Sequence, residues 1–290
     1  MKFYPGYHQP SQAGNLPRAF ISINRLATRK SDFQVNEWIM DSGAFTQLDK
    51  TNRLTIEEAA ATDSGYSMTV DEYARQIQRW SRCGNLVAAC AQDYMCEAFM
   101  FPEDPEEGGP LSGEAAWRMG ETRGLSVEEH QVWTVDRYAQ LRNALHRIRC
   151  DTPVMAVLQG YTPEEYLRCI ELYETRWGRP LLDEGAYVGV GSVCKRNVNP
   201  ETVVEVLSAI KERRPDLRLH GFGLKVTALK DPEVRRLLTS SDSMAWSSAA
   251  RHARNRARKL GEDWEAIPSP NDWRAAQAYA DQVEDIISLS

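Results

Sequence analysis

The stretch WIMDSGAF, residues 38–45, is an apolar run that ends in a carboxylate, a turn of small residues and an aromatic ring. This pattern places Asp41 at the carboxyl end of a buried strand. In α/β proteins the carboxyl ends of parallel strands meet at one edge, and ligands bind there. Because Asp is disfavoured inside strands, it has either a chemical role here or caps the next turn.

Similar apolar runs recur along the chain and alternate with amphipathic segments. Candidate strands are 20–23, 38–40, 86–89, 154–158, 187–190, 217–220 and 243–246, and helical patterns occupy 70–82, 135–149, 163–177, 200–213, 232–238 and 273–286. Thr162, Asn199 and Asp231 are each followed by Pro, which is typical of a helix start. Alternating strands and helices indicate parallel strands joined by crossovers.

The number of candidate strands, about seven, favours a TIM-like (β/α)8 barrel over an open sheet, since such barrels need about 250 residues. We therefore expect one domain over residues 1–290. The stretch 101–123 is rich in Pro, Gly and Glu, and we expect it to be a long loop insertion. The last helical pattern predicts a C-terminal helical segment.

The composition is that of a soluble globular protein, with 42% hydrophobic and 26% charged residues. No apolar run approaches the roughly 20 residues of a membrane span, and the amino terminus has no apolar signal core, so we expect a cytoplasmic protein with no membrane partner. The net charge of −6 argues against binding nucleic acid through overall charge. The six cysteines form no C-x-x-C pair, and we interpret them as buried free thiols.

Polar and small residues follow several of the other strands as well. These residues are Asp93, Gln159, Gly160, Gly191, Ser192 and Asp242. Taken singly, each has an ordinary explanation as a turn or cap residue. At one edge of a sheet they would together line a pocket with carboxylates, an amide and exposed backbone. Such a pocket suits a flat heterocycle such as guanine, whose ring N–H and exocyclic amine pair with a carboxylate.

A basic segment follows Asp242. Between Ser243 and Gly261 there is no carboxylate, and the cationic residues there are Arg251, Arg254, Arg256, Arg258 and Lys259. They form either a solvated helix face or a surface that binds nucleic-acid phosphates. Lys195 and Arg196, just beyond Ser192, could extend such a surface.

The order of these motifs resembles the tRNA-guanine transglycosylase superfamily, whose members exchange guanine in a nucleic acid for a 7-deazaguanine base on a barrel scaffold. The resemblance covers strand ends from about Asp41 to Arg254. It implies that Asp41 acts in proton transfer, that Phe45 stacks on the base and that Asp93 binds the pyrimidine edge of the purine.

The resemblance extends to three later motifs. Gln159-Gly160 is similar to the base-recognition pair of the superfamily. Gly191-Ser192 is similar to its pair of backbone amides, with Ser in place of the second Gly. The segment 242–246 is similar to the one that carries the nucleophilic Asp, which implies this role for Asp242.

Two departures favour the smaller DpdA branch of the superfamily, found in phages and bacterial gene clusters, which inserts 7-deazaguanines into DNA. Members that modify tRNA carry a zinc site of three Cys and one His after the nucleophile, but no Cys follows Cys194 here. The chain is also short, and we expect no appended RNA-binding domain. We therefore expect no cofactor, and DNA and a free, preQ0-like 7-deazaguanine as substrates. Partner proteins of a DNA-modification system and a role in phage or bacterial defence would fit this branch.

Three alternatives stay open. The protein could be a tRNA-guanine transglycosylase that has lost its zinc module, or a non-catalytic partner subunit of an active enzyme. It could also be an unrelated barrel enzyme with a metal bound by Asp41, Asp93 and Asp242. His130 and His220 are single histidines, and we interpret both as structural residues.

Overall fold

The computed structural model describes residues 1–47, 66–97 and 126–289, and the expected loop insertion at 101–123 lies outside them. Within the described residues, eight parallel strands form one sheet. They are β1 (Lys2–Pro5), β2 (Arg18–Ser22), β3 (Glu37–Asp41), β4 (Asn85–Cys90), β5 (Val154–Leu158), β6 (Tyr187–Val190), β7 (Arg218–Gly221) and β8 (Ser240–Ser243).

The sheet curls into a nearly closed barrel. Its strand order is β1-β8-β7-β6-β5-β4-β3-β2, so consecutive strands from β2 to β8 pair with one another and β1 pairs with β8. A parallel bridge between Gly6 and Phe20 connects the two ends of the sheet, and the Tyr7 amide donates to the Phe20 carbonyl at 3.0 Å. The predicted TIM-like barrel is confirmed.

Helices connect most strands on the outside. The described α-helices are α1 (Ala44–Gln47), α2 (Val70–Trp80), α3 (Val127–Arg147), α4 (Pro163–Thr175), α5 (Pro200–Arg213), α6 (Val226–Leu229), α7 (Pro232–Leu237), α8 (Ala245–Leu260) and α9 (Trp273–Ser288). Thr69 and Thr162 cap α2 and α4 through complete capping boxes. Asp231 caps α7, whereas Asn199 makes no side-chain cap to α5. No helix among the described residues is long and apolar enough to cross a membrane.

Two predicted elements begin three or more residues away from where the sequence placed them. The strand predicted at 243–246 lies instead at Ser240–Ser243, and residues from Ala245 onward belong to α8. The helix expected to start after Thr134 begins at Val127, where Ser126 is the cap. Thr134 lies inside that helix, and its hydroxyl accepts a hydrogen bond from the Tyr94 amide at 2.9 Å. This tertiary contact explains why a residue with the chemistry of a cap occurs within a helix.

The C-terminal helix α9 covers the part of the barrel where the crossovers are shortest. The described connections from β1 to β2 and from β2 to β3 contain only 3-10 turns, at Pro10–Asn15 and Ile23–Arg25. The Tyr279 ring of α9 lies 5.9 Å from the Phe3 ring of β1, and Glu284 forms an ion pair with Arg18 of β2. We infer that α9 takes the place of a missing barrel helix. The single domain over residues 1–290 stays a prediction.

Side chains fill the barrel interior below its C-terminal opening. An apolar cluster there contains Tyr4, Phe20, Ile39, Ala88, Cys90 and Met155. The His220 ring of β7 stacks on Phe20 with 5.5 Å between ring centroids and 12° between planes. The core is therefore packed rather than open, and the strand ends above it are free to form a site.

Candidate active site

Asp41 ends β3 and begins a tight turn into α1. Its carboxylate accepts hydrogen bonds from the backbone amides of Ser42 and Gly43 and from the hydroxyl of Ser22, at the end of β2. Gly43 has a φ of 80°, and a Cβ there would lie 2.4 Å from Nδ2 of Asn24. Only glycine fits this position, because both the backbone conformation and the space exclude a side chain.

The pKa of Asp41 is raised to about 6. Burial is the main cause and the charge of Asp242 adds to it, whereas the hydrogen bonds from Gly43, Ser22 and Ser42 act in the opposite direction. A carboxyl group with such a pKa can both donate and accept a proton near neutral pH.

A second acid, Asp93, lies just past β4 and is 8% exposed. Its Oδ1 accepts a hydrogen bond from the Ser42 hydroxyl at 3.3 Å, and its Oδ2 accepts one from Gln159 Nε2 at 2.5 Å. Burial and the charge of Asp41 raise the pKa of Asp93 to about 7, against the effect of the Gln159 hydrogen bond. Asp41 and Asp93 are thus coupled through charge and through the turn at Ser42.

Gln159 is fixed by a continuous row of hydrogen bonds. Its Oε1 accepts from the Ser192 hydroxyl at 2.7 Å and from the Cys96 amide at 3.3 Å, which sets Nε2 toward Asp93. A Cβ on Gly191 would lie 2.3 Å from that Nε2, so the amide packs directly on the glycine backbone. Ser192 itself has a φ of 55°, a left-handed conformation that favours glycine.

Gly160 has a different role in this arrangement. A Cβ at Gly160 would lie 2.9 Å from the backbone nitrogen of Tyr166, so the glycine lets α4 approach the end of β5. The Tyr166 hydroxyl then donates to the Gly191 carbonyl at 2.6 Å. Gly160 therefore supports the pocket through packing.

Asp242 points into the barrel mouth from β8 and is 6% exposed. Its Oδ1 accepts from the Gly223 amide at 3.0 Å and lies 3.2 Å from His220 Nε2. Among the described residues, Oδ2 accepts no hydrogen bond. The carboxylate is thus held through one oxygen, and the other is available for chemistry.

His220 belongs to a chain of polar groups that ends at Asp242. Its Nδ1 lies 2.7 Å from the Ser240 hydroxyl, which also contacts the Tyr187 hydroxyl. Because the carboxylate can only accept, we assign the imidazole proton to Nε2, and Nδ1 then accepts from Ser240. The sequence pattern had predicted only a structural role for His220. The signal that could have found it is strand register, since His220 pairs with Ser240, two residues before Asp242.

Phe45 and His130 differ in their surroundings. Phe45 is 57% exposed on α1, directly after the Asp41 turn, so its ring offers a surface for stacking. His130 is buried on α3, with Nδ1 2.7 Å from the Met95 carbonyl, and burial lowers its pKa to about 4. A neutral, buried histidine of this kind fits a structural role.

The basic residues of α8 divide into two groups. The guanidinium groups of Arg254 and Arg258 lie 4.6 and 3.9 Å from the Trp264 ring centroid, so these residues hold the segment that follows the helix. Arg251, Arg256 and Lys259 are exposed. Outside α8, Arg196 donates to the Tyr161 carbonyl, and its guanidinium lies 4.9 Å from the Tyr161 ring centroid. The side chain of Lys195 lies outside the described part of the structure.

No metal site is evident in the described ranges. There, no group of three or more His, Cys, Asp and Glu side chains is arranged to hold a metal ion. The cysteines of this part are free thiols, most of them buried. The expectation that the protein needs no metal or other cofactor stays a prediction.

The protein is a TIM-like barrel whose C-terminal mouth holds Asp41, Asp93 and Asp242 beside a fixed glutamine. The family model of DpdA, DeoxyPurine in DNA protein A, matches residues 114–275, more than half of the chain. The chain belongs to the DpdA family, and the resemblance to this branch of the tRNA-guanine transglycosylase superfamily is confirmed. No curated protein matches the chain.

Proposed function

We propose that the protein replaces guanine in DNA with a 7-deazaguanine base through a covalent intermediate between Asp242 and the sugar. The observation that carries this proposal is the state of Asp242: one carboxylate oxygen is held by Gly223 and His220, and the other accepts no described hydrogen bond. The family match supports DNA modification by base exchange in general terms. The nucleophile, the bases exchanged and the steps below are our proposal.

In the first half-reaction, Oδ2 of Asp242 attacks C1′ of the target nucleotide and forms an ester-like bond. The bond between C1′ and N9 of guanine breaks, and the departing base takes a proton from Asp41. In the second half-reaction, Asp41 takes the N9 proton of the incoming 7-deazaguanine. N9 then attacks C1′, the bond to Asp242 breaks, and both carboxyl groups return to their starting states.

The pocket beside these acids fits a guanine-like base. Asp93 can accept from the ring N–H and the exocyclic amine, and such donors favour its charged form and lower its raised pKa. Both lone pairs of Gln159 Oε1 and one N–H of Nε2 have partners. We assign the second N–H to the O6 of the base. Phe45 would stack on the ring, with the backbone of Gly191 and Ser192 beside it, and Gly160 would support this wall of the pocket through its packing on α4.

Access to a base in duplex DNA requires that the nucleotide be extruded or that the substrate be single-stranded. The exposed residues Arg251, Arg256 and Lys259 on α8 directly follow the Asp242 strand, and we propose that they contact the backbone. Partner proteins, a role in phage or bacterial defence and a cytoplasmic location stay predictions.

The deciding experiment offers labelled preQ0 to the purified protein with single-stranded DNA, duplex DNA or tRNA, and measures label in each polymer. We expect label in guanine-containing DNA. Label in tRNA alone would instead indicate the tRNA-modifying alternative, and label in neither, with or without partner proteins, would contradict the proposal. A denaturing gel of protein and DNA without free base should show a covalent adduct that Asp242→Asn abolishes.

A further inference from the structure

His8, Arg25 and Arg251 meet at the barrel mouth from three different elements. His8 follows β1, Arg25 ends the 3-10 turn after β2, and Arg251 lies on α8 after β8. Arg25 Nη2 lies 3.1 Å from His8 Nδ1, and Arg251 Nη2 lies 3.1 Å from His8 Nε2. Because the strands are parallel and each of these residues follows the carboxyl end of its strand, the cluster lies at the same end of the barrel as Asp41 and Asp242.

These contacts cannot both be hydrogen bonds. A guanidinium group only donates, and a neutral imidazole accepts at one nitrogen only. At least one arginine N–H therefore faces an imidazole N–H. Protonation of the imidazole would remove the remaining acceptor, and burial together with the charges of Arg25 and Arg251 lowers the pKa of His8 to about 4. The cluster thus holds more hydrogen-bond donors than its own acceptors satisfy.

In the part of the chain that the structure describes, the two arginines also lack acidic partners. Among the described residues, neither Arg25 nor Arg251 lies within salt-bridge distance of a carboxylate. Elsewhere on the chain such pairing is common, as in Arg82 with Asp32 and Arg147 with Asp71. Two like charges lie against one neutral ring, with surplus donors and no counterion among the described residues. Such an arrangement forms a site for an anion with several acceptor oxygens.

We infer that His8, Arg25 and Arg251 form a phosphate clamp, which binds a DNA phosphodiester beside the nucleotide whose base is exchanged. The clamp is tied to the site through its neighbours in sequence. Asn24, next to Arg25, donates to the Gly43 carbonyl at 3.3 Å, and Ser22 hydrogen-bonds Asp41. A phosphate oxygen can accept from both guanidinium groups and from the imidazole N–H, which resolves the conflict between donors. This inference rests on the proposed function, since it takes DNA as the ligand.

The test measures binding of a single-stranded guanine-containing oligonucleotide by fluorescence anisotropy over a range of KCl concentrations. Arg25→Gln and Arg251→Gln should each weaken binding about 10-fold and reduce the slope of log Kd against log salt by about one. Arg82→Gln is the matched control. It removes one exposed arginine beside the amino end of β4, away from the mouth, and should change binding less than about 2-fold.

A modified oligonucleotide locates the clamp. An uncharged methylphosphonate at the phosphate on either side of the target guanine should weaken binding of the unmodified protein about 10-fold at one of the two positions. When Arg25→Gln or Arg251→Gln is tested instead, the methylphosphonate at that position should weaken binding little further. If Arg25→Gln and Arg251→Gln bind DNA with the same Kd and salt dependence as Arg82→Gln, the phosphate clamp is wrong, even if base exchange occurs. If the two variants weaken DNA binding as expected but the protein forms no covalent adduct and exchanges no base, only the proposed function is refuted.

Discussion

Asp41 has to serve two opposite proton transfers in the proposed reaction, and its raised pKa of about 6 suits both. Single-turnover experiments can separate them. Formation of the covalent adduct needs protonated Asp41, so its rate should fall as pH rises through about 6. Release of the adduct by added 7-deazaguanine needs ionised Asp41, so its rate should fall as pH drops through about 6.

Asp41→Asn removes the titrating group and should slow both half-reactions by about 10²- to 10⁴-fold. The pH dependence near 6 should disappear from both rates. If the variant keeps either dependence, the titrating group is another residue and our assignment of Asp41 is wrong.

His220 positions the nucleophile in this interpretation, because its Nε2 proton reaches Oδ1 of Asp242 while Ser240 holds its other nitrogen. His220→Phe keeps a ring against Phe20 but removes the donor. We expect adduct formation to slow about 10- to 100-fold, by analogy with the loss of groups that orient metal ligands, with little change in the Kd for DNA. His220→Gln retains a donor and should recover part of the rate. Weaker DNA binding by His220→Phe, at an unchanged adduct rate, would point to a merely structural role.

At the scale of elements, the strand ends act as rigid supports for side chains, and β6 is the clearest case. Gly191→Ala would place a Cβ 2.3 Å from Gln159 Nε2. The amide must then move, which disturbs its hydrogen bonds to Asp93 and Ser192. We expect the KM for the free base to rise about 10-fold or more.

Gly185→Ala is the matched control for this substitution. Gly185 has a φ of 70° with open space around it, so alanine costs about 1 to 2 kcal/mol of folding free energy without touching the pocket. The control should lower the Tm and leave the KM unchanged. A rise in KM that simply tracks the loss of Tm in both variants would contradict the role assigned to Gly191.

Elements with strong local signals could be predicted from sequence, whereas β8 could not. Apolar patterns gave β5 and β6, and the proline start helped to give α5, all with the observed bounds. The β8 strand reads Ser-Ser-Asp-Ser, so its buried residues carry no hydrophobic pattern. Alternate side chains of a strand point to opposite faces, so Ser240 and Asp242 contact His220 while the Ser241 hydroxyl donates to the Gly221 carbonyl. These tertiary contacts account for the polar residues.

Some residues of the candidate site could be predicted from sequence and others could not. Asp41 and Asp93 could be placed from sequence because each acid ends or follows an apolar strand pattern. Asp242 lies in a strand without such a pattern, and its role was implied by the resemblance. The chain of groups from Tyr187 through His220 could not be predicted, because it depends on the register between β6, β7 and β8. Pairwise geometry across strands is not encoded in the local residue pattern.

At the scale of the whole molecule, the acids of the mouth oppose folding at high pH. The pKa of Asp41 is raised to about 6 and that of Asp93 to about 7, both above the unfolded value of 3.8. Between about pH 4 and 7 the folded protein therefore binds more protons than the unfolded chain. The stability that these groups contribute is complete below pH 4 and is lost as pH rises through 6 and 7.

Asp93→Asn should therefore stabilise the protein more at pH 8 than at pH 5, in each case compared with the unmodified protein at the same pH. The asparagine can still accept from Gln159 with its oxygen and donate to Ser42 with its amide, so the row of hydrogen bonds survives. We expect the difference in unfolding free energy between the variant and the unmodified protein to shift in favour of the variant by about 1 to 3 kcal/mol between pH 5 and 8. Urea unfolding at both pH values measures it. Asp41→Asn should change the unfolding free energy in the same direction but by less, since the pKa of Asp41 is raised less than that of Asp93. If the difference in unfolding free energy between variant and unmodified protein stays constant with pH, the two carboxyl groups do not cause the loss of stability. A larger pH-dependent increase for Asp41→Asn than for Asp93→Asn would contradict the higher pKa assigned to Asp93.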